Sequence, residues 1–139
     1  MKTPKVHAGD SGVACSLLGV DGEGLARDRQ ILGHLLETFV FQELRRHASW
    51  YGEDVRFFHF RDRDRDEVDV VLEKGARGVA GVEVKAGATV RDEDFRGLRK
   101  LKRATGTRFV AGVVLYDGET CAPFGDRLFA VSIRTLWQP

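Results

Sequence analysis

An almost charge-free run near the carboxyl end constrains the fold of this chain most strongly. The nine residues RFVAGVVLY at 108–116 carry a single charge, at their first position. A continuous apolar run of this kind is typical of a strand that is covered on both faces of its sheet. A helix is predicted just before it, at about 92–104, and joins it to an earlier strand, so the two strands are expected to be parallel. The sequence therefore predicts an α/β domain.

The other elements are predicted from the spacing of apolar residues. A long helix is expected at about 29–48, because its apolar residues share one wide face. Three strands then follow closely and are expected to form an antiparallel meander, of which the third leads through the helix at 92–104 to the strand at 108–116. A last strand at 127–133 is expected at the edge of the sheet. The meander strands are predicted at 55–60, 67–73 and 79–85.

The length and charge of the chain limit its organisation and its partners. With 139 residues there is room for one domain, which we expect to span residues 29–139. Residues 1–28, rich in small residues, are expected to form an N-terminal extension with a short helix and a loop. A formal net charge of +1 excludes a bulk polycation. Any surface that binds nucleic acid must therefore be a local patch.

The sequence lacks the motifs of several other kinds of site. Cys15 and Cys121 are too far apart for a zinc pair or a disulfide framework. No P-loop and no G-x-G-x-x-G motif occurs, so no nucleotide cofactor is expected. No apolar run approaches the ~18 residues of a membrane span, and no signal-peptide pattern opens the sequence. We therefore expect a cytoplasmic domain that does not contact a membrane.

The most specific chemical feature is a pair of acidic residues on neighbouring predicted strands. Asp69 lies in the second strand of the meander. Glu83 and Lys85 lie two residues apart in the third strand, so the side chains of Glu83 and Lys85 point to the same face of the sheet. A short hairpin would place the two carboxylates side by side. Two carboxylates and an ammonium group suit a site for Mg²⁺ or Mn²⁺ that hydrolyses a phosphoryl bond. The alternative is a cross-strand salt bridge to Lys85.

Two acidic residues of the long helix lie on or beside its apolar face. Glu37 falls at the margin of that face, and Glu43 falls near its centre. A buried carboxylate requires an arginine, a backbone donor or a metal ion as its partner. For Glu43 an ion pair with an arginine is favoured, whereas Glu37 fits a metal site and an ion pair equally well.

Four basic residues share one side of the helix predicted at 92–104. A stripe of this kind could hold a phosphate backbone, although an ordinary solvated face explains it as well. The acidic residues 92–94 at the start of the helix favour its dipole and need no functional role. The charged run at 61–66, RDRDRD, is most simply a soluble turn. The stripe consists of Arg96, Arg99, Lys100 and Arg103.

These features in this order resemble the PD-(D/E)XK nuclease superfamily. A helix acid is followed by an aspartate on one strand, E-x-K on the next strand and then a basic helix. More specifically, the chain resembles the uncharacterised domain at the C-terminus of many prokaryotic AAA-type ATPases, here without the ATPase half. The resemblance rests on DSGVACSLLG at 10–19, GHLLETFVFQEL at 33–44, EVDVVLE at 67–73, GVEVKAGATV at 81–90, DFRGLRKL at 94–101 and PFGDRLFAVSIRTLW at 123–137.

The resemblance implies a restriction-endonuclease-like α/β fold, an αβββαβ core with a mixed sheet flanked by helices. It implies that Asp69, Glu83 and the backbone carbonyl of Val84 are metal ligands. It further implies that Lys85 is the catalytic lysine, and that Glu37 reaches the metal directly or through water. The implied activity is hydrolysis of nucleic-acid phosphodiesters with Mg²⁺ or Mn²⁺.

Two functions from different classes therefore remain open. The first is a candidate metal-dependent nuclease that acts on nucleic acid, with DNA expected ahead of RNA. The second is a non-catalytic interaction or regulatory module, derived from the ATPase family, that binds nucleic acid, forms a homodimer or works with a separate protein partner. Fold alone does not decide between them, since one fold supports many functions.

Overall fold

The computed structural model describes residues 4–52, 54–76 and 78–138. Four α-helices and six strands occur in these ranges, together with short 3₁₀ turns. The helices are α1 (Ser11–Leu18), α2 (Gly22–Arg27), α3 (Arg29–Trp50) and α4 (Arg96–Thr105). The strands are β1 (Arg56–Arg61), β2 (Glu67–Lys74), β3 (Gly78–Lys85), β4 (Phe109–Tyr116), β5 (Ala122–Gly125) and β6 (Leu128–Ser132).

Helix α3 confirms the long helix predicted at 29–48 and ends two residues later, at Trp50. It begins where the Asp28 side chain accepts hydrogen bonds from the backbone N–H groups of Gln30 and Ile31, each at 3.0 Å. Such a cap satisfies donors that the first turn of a helix leaves unpaired. Gly52 follows with a positive φ of 63°, which turns the chain towards β1.

The six strands form one mixed sheet in the order β1-β2-β3-β4-β6-β5. β1, β2 and β3 are antiparallel neighbours, and β3 and β4 are parallel, as the crossover through α4 predicted. β6 is not the edge strand that was expected at 127–133, because β5 pairs on its outer side. β5 escaped prediction since it has only four residues, and its Pro123 is compatible with an edge strand.

Helices cover both faces of the sheet, so the predicted mixed α/β sheet flanked by helices is confirmed. One apolar cluster lies between the sheet and α4, and another lies between the sheet and α3. The first contains Val68, Val71, Val79, Phe95, Leu98, Leu101, Phe109, Val114, Tyr116, Leu128 and Ala130. The second contains Val40, Val70, Val82, Leu115 and Ile133.

The alternation of side chains along β2 is interrupted at Asp69. A regular strand would place Val68 and Val70 on the same face. Instead Val68 packs with Val71 under α4, whereas Val70 packs under α3. The register with β1 shifts at this point, as in a β-bulge. Asp69 therefore occupies an irregular position in β2, at the interruption of the alternation.

The helix predicted at 92–104 begins as a 3₁₀ turn, Asp92–Phe95, and continues as α4. α4 approaches the sheet closely at Gly97. A Cβ atom added there would lie 1.9 Å from the backbone oxygen of Glu67. Gly97 thus sets the distance between α4 and the beginning of β2, next to the irregular position of Asp69.

The N-terminal extension contains more helix than was expected. α1 is capped by Asp10, and the segment expected to be a loop contains the two-turn helix α2, capped by Asp21. The predicted boundaries 1–28 and 29–139 include residues 1–3 and 139, which lie outside the described residues. Among the residues that are described, no helix has the length and apolarity required to cross a membrane.

Candidate functional site

The two acidic residues predicted to be neighbours do lie side by side. β2 and β3 pair from Val70 opposite Val82 towards the hairpin, and Asp69 and Glu83 are the next residues outward. The backbone N–H of Asp69 donates to Glu83 Oε2 at 3.3 Å, and the backbone N–H of Val84 donates to Asp69 Oδ2 at 2.9 Å. The Asp69 side chain thus bridges the two strands beyond the last paired residues.

Glu37 reaches this place from α3, which packs on one face of the sheet. Lys5, in the segment before α1, joins the two carboxylates. Its Nζ lies 2.5 Å from Glu37 Oε1 and 2.8 Å from Asp69 Oδ1. The predicted acids of the helix and the strand are therefore brought together, with an ammonium group between them. We call Glu37, Asp69 and Glu83 the carboxylate site.

The carboxylate site lacks sufficient positive charge for three ionised groups. Burial and the negative charge of Asp69 raise the pKa of Glu83 to about 9. Burial and the same neighbouring charge also raise the pKa of Glu37 above its usual range, although the bond from Lys5 opposes the shift. Clustered carboxylates with raised pKa values are typical of sites that bind cations or transfer protons.

Lys85 points to the same face of the sheet as Glu83, as predicted, but it has a partner of its own. Its ammonium group pairs with Asp94 in the 3₁₀ turn before α4. Asp94 also accepts the backbone N–H of Arg91 at 2.7 Å, which fixes the carboxylate. The salt bridge of Lys85 is therefore with Asp94, and the expectation that the acidic residues 92–94 need only a helix-dipole role is incomplete for Asp94.

The donor set of the carboxylate site is suited to a hard divalent cation. Three carboxylates converge here, and Val84 lies beside them, so its carbonyl is a further oxygen donor in the neighbourhood. The Lys5 ammonium already shows that a cation is favourable between Glu37 and Asp69. Among the described ranges, no three His, Cys, Asp or Glu side chains are arranged to hold a metal ion. The residue types fit the metal, and Lys5 is bonded to two of them.

Glu43, the other acid of the long helix, has a different environment. It is 6% exposed and pairs with Arg46, as predicted, and it also accepts a hydrogen bond from Trp137 Nε1 at 3.0 Å. These partners satisfy its buried charge. Glu43 therefore anchors the carboxyl-terminal turn to α3.

The basic stripe of α4 is largely paired with acidic residues. Arg99 forms a two-pronged bond with Asp92. Lys100 is surrounded by the aspartates of the charged turn, and Arg96 lies 3.7 Å from one of them, whereas Arg103 is exposed. Phosphate binding by the stripe stays a prediction, and it would require these pairs to open. The aspartates around Lys100 are Asp62, Asp64 and Asp66.

An apolar cavity of about 320 Å³ opens at the other end of β2 and β3. It is remote from the carboxylate site, because the strands run away from Asp69 and Glu83 towards it. Its lining consists of Val55, Leu72, Lys74, Gly78, Ala80 and Val110.

Comparison with known families finds a match over most of this chain. A family model described as a domain of unknown function, DUF4143, matches residues 32–136, which is more than half of the chain. The chain belongs to the DUF4143 family. The match includes all three members of the carboxylate site, whereas Lys5, α1 and α2 precede it. Neither the curated proteins nor the solved structures contain a match to this chain.

Lys5, His7 and Asp94 are the residues around the site that sequence reasoning missed. Lys5 meets Asp69 across 64 positions of the sequence, and no periodicity links so distant a residue to a strand. His7 has no metal-ligand spacing with the other histidines, so nothing in the sequence marks it. Asp94 was expected only to interact favourably with the helix dipole, because nothing in the sequence shows that it pairs with Lys85.

Proposed function

We propose that this DUF4143 domain is a divalent-metal-dependent nuclease-like enzyme that hydrolyses nucleic-acid phosphodiesters. The observation that supports it best is the convergence of Asp69 and Glu83 at the end of their paired strands with Glu37 facing them from α3. A restriction-endonuclease-like core follows from the same proposal, with α3, β1, β2, β3, α4 and β4 in αβββαβ order.

In this proposal each residue of the site has a specific role. The carboxylates of Glu37, Asp69 and Glu83, with the carbonyl of Val84, would hold Mg²⁺ or Mn²⁺. When bound, such an ion polarises a phosphoryl oxygen and lowers the pKa of a coordinated water. Lys85 would stabilise the negative charge that develops on the phosphate or orient the attacking water.

Nucleic acid is proposed as the substrate, with DNA ahead of RNA. The exposed Arg103 and the cations paired along α4 are candidates for phosphate contacts. Each phosphate that the protein neutralises lowers the slope of log K against log salt by about one unit. Reversal of the Arg103 charge should therefore make binding less sensitive to salt.

The test is cleavage of mixed DNA and RNA substrates with Mn²⁺ by the parent protein and by Asp69→Ala and Lys85→Met. We expect each variant to lose about a hundredfold in rate or more, since single charge-stabilising groups of active sites contribute that much. Asp126→Asn is the matched control, because Asp126 pairs with Lys102 far from the site. Cleavage by Asp69→Ala at the parental rate would contradict the proposal.

A second candidate function has one observation in its favour. α1 buries none of its residues and exposes Leu17 (84%) and Leu18 (59%), which suits an interaction module that contacts another protein chain. The partner would be a second copy or a separate protein, such as the ATPase that the resemblance implies. Sedimentation distinguishes the two: a monomer whose stability rises with Mn²⁺ favours the enzyme, whereas a metal-indifferent dimer that Leu17→Glu dissociates favours the module.

A further inference from the structure

The cation in the carboxylate site belongs to the chain itself. Lys5 donates to both Glu37 and Asp69, and its side chain is 25% exposed. Lys5 is therefore held as an ammonium ion, bonded to oxygens that the proposed function assigns to the metal.

The segment around Lys5 is attached to α3 by neighbouring contacts. The His7 ring stacks on Phe41, with centroids 4.4 Å apart, and its Nδ1 lies 3.3 Å from Thr38 Oγ1. One residue later, the carbonyl of Ala8 accepts a hydrogen bond from Gln42 Nε2 at 2.9 Å. These contacts extend along successive turns of α3. We call residues 5–8 the N-terminal strap.

The N-terminal strap is attached largely by polar contacts, which water or a metal ion can replace. Val6, between Lys5 and His7, is 88% exposed, so it contributes no buried apolar surface. α1 follows from Ser11 and contacts α3. Apart from the His7–Phe41 stack the strap is held by polar contacts, and such a segment opens at lower free-energy cost than one packed into the core.

We propose that the N-terminal strap is an intramolecular competitor of the divalent cation, and that the ion binds only after Lys5 leaves Glu37 and Asp69. This inference rests on the proposed function, since it assumes that those oxygens are metal ligands. An ammonium group and a divalent ion placed at the same carboxylate oxygens repel each other, so each weakens the binding of the other. The domain would thus bind metal weakly while the strap is docked.

The first test is calorimetric titration of Mn²⁺ into the parent protein, Lys5→Met and Lys102→Met. Lys5→Met removes the competing charge and should bind Mn²⁺ about tenfold more tightly or better, since a hydrogen bond to a charged group contributes at least that factor. Lys102→Met is the matched control, because Lys102 pairs with Asp126 and lies away from the strap. It should bind like the parent.

The outcomes separate this inference from the proposed function. Equal affinity of Lys5→Met and the parent, with binding that Asp69→Ala abolishes, would overturn the competition and leave the metal site intact. Absence of binding in every variant, Lys5→Met included, would overturn both.

A second measurement on the unmodified protein guards against poor folding of Lys5→Met. Trypsin cleaves after Lys5 only when that side chain leaves the carboxylates and enters the protease. Saturating Mn²⁺ should therefore accelerate cleavage after Lys5 several-fold, while cleavage after the remote Lys102 serves as the internal reference. An unchanged rate after Lys5 with Mn²⁺ bound would contradict displacement of the strap.

Discussion

Replacement of Gly97 by alanine should destabilise the domain more than any other single-methyl change in a helix. The new Cβ would lie 1.9 Å from the backbone oxygen of Glu67, and separations under 3.0 Å essentially do not occur. α4 would therefore have to move away from β2 by about 1.1 Å, the difference between these two distances. A backbone oxygen cannot rotate away as a side chain does.

The expected cost is about 3 kcal/mol in the free energy of unfolding, at the upper end of the range for overpacked sites. In a chain of this size such a loss lowers the melting temperature by roughly 10 °C. Because β2 carries Asp69 two residues after Glu67, we also expect weaker Mn²⁺ binding. Urea denaturation followed by circular dichroism measures the first effect directly.

Gly33→Ala is the matched control. Gly33 lies in α3, and a Cβ there meets nothing within 4 Å. Helix propensity alone then predicts a gain of about 0.5–1 kcal/mol. If Gly97→Ala unfolded at the same urea concentration as the parent, the close packing of α4 on β2 would be wrong.

Three further changes test separate parts of the structure. Burial and a neighbouring carboxylate raise the pKa of Glu83 to about 9, so between pH 4.5 and 9 the metal-free folded state holds a proton that the unfolded state has lost. Stability should therefore fall as pH rises, by at most about 1.4 kcal/mol per unit, and a Glu83→Gln variant that kept the same slope would refute this origin. Lys100→Met should release the charged turn and speed tryptic cleavage after Arg63; an unchanged rate would show that Lys100 does not hold the turn. Trp137→Phe should cost about 1–2 kcal/mol in urea denaturation, because Glu43 loses its indole donor, and no loss would mean that this bond is dispensable.

The order of helices and strands could be predicted because each depends on local periodicity. The apolar face of α3 and the continuous apolar run of β4 are visible within single segments, and the crossover rule then sets β3 and β4 parallel. β5 has too few residues to show a period, so the place of β6 inside the sheet could not be predicted.

The neighbourhood of Asp69 and Glu83 was also predictable, because a short hairpin fixes the register of its strands. The bulge at Asp69 was not, since it depends on how β2 pairs with β1 and how Val68 packs under α4, and the alternation of residues in β2 does not show either. The Lys5 contacts depend on tertiary structure alone.

Calorimetric titration of Mn²⁺ into the parent protein and Asp69→Ala tests the central claim most directly. Asp69 accepts hydrogen bonds from Lys5 and Val84 and is one of the proposed metal ligands. The account therefore predicts saturable binding of Mn²⁺ by the parent. It predicts none by Asp69→Ala, whose circular dichroism spectrum should match that of the parent. If neither the parent nor Lys5→Met bound Mn²⁺, the carboxylate site would be a set of structural ion pairs. That result would contradict the account.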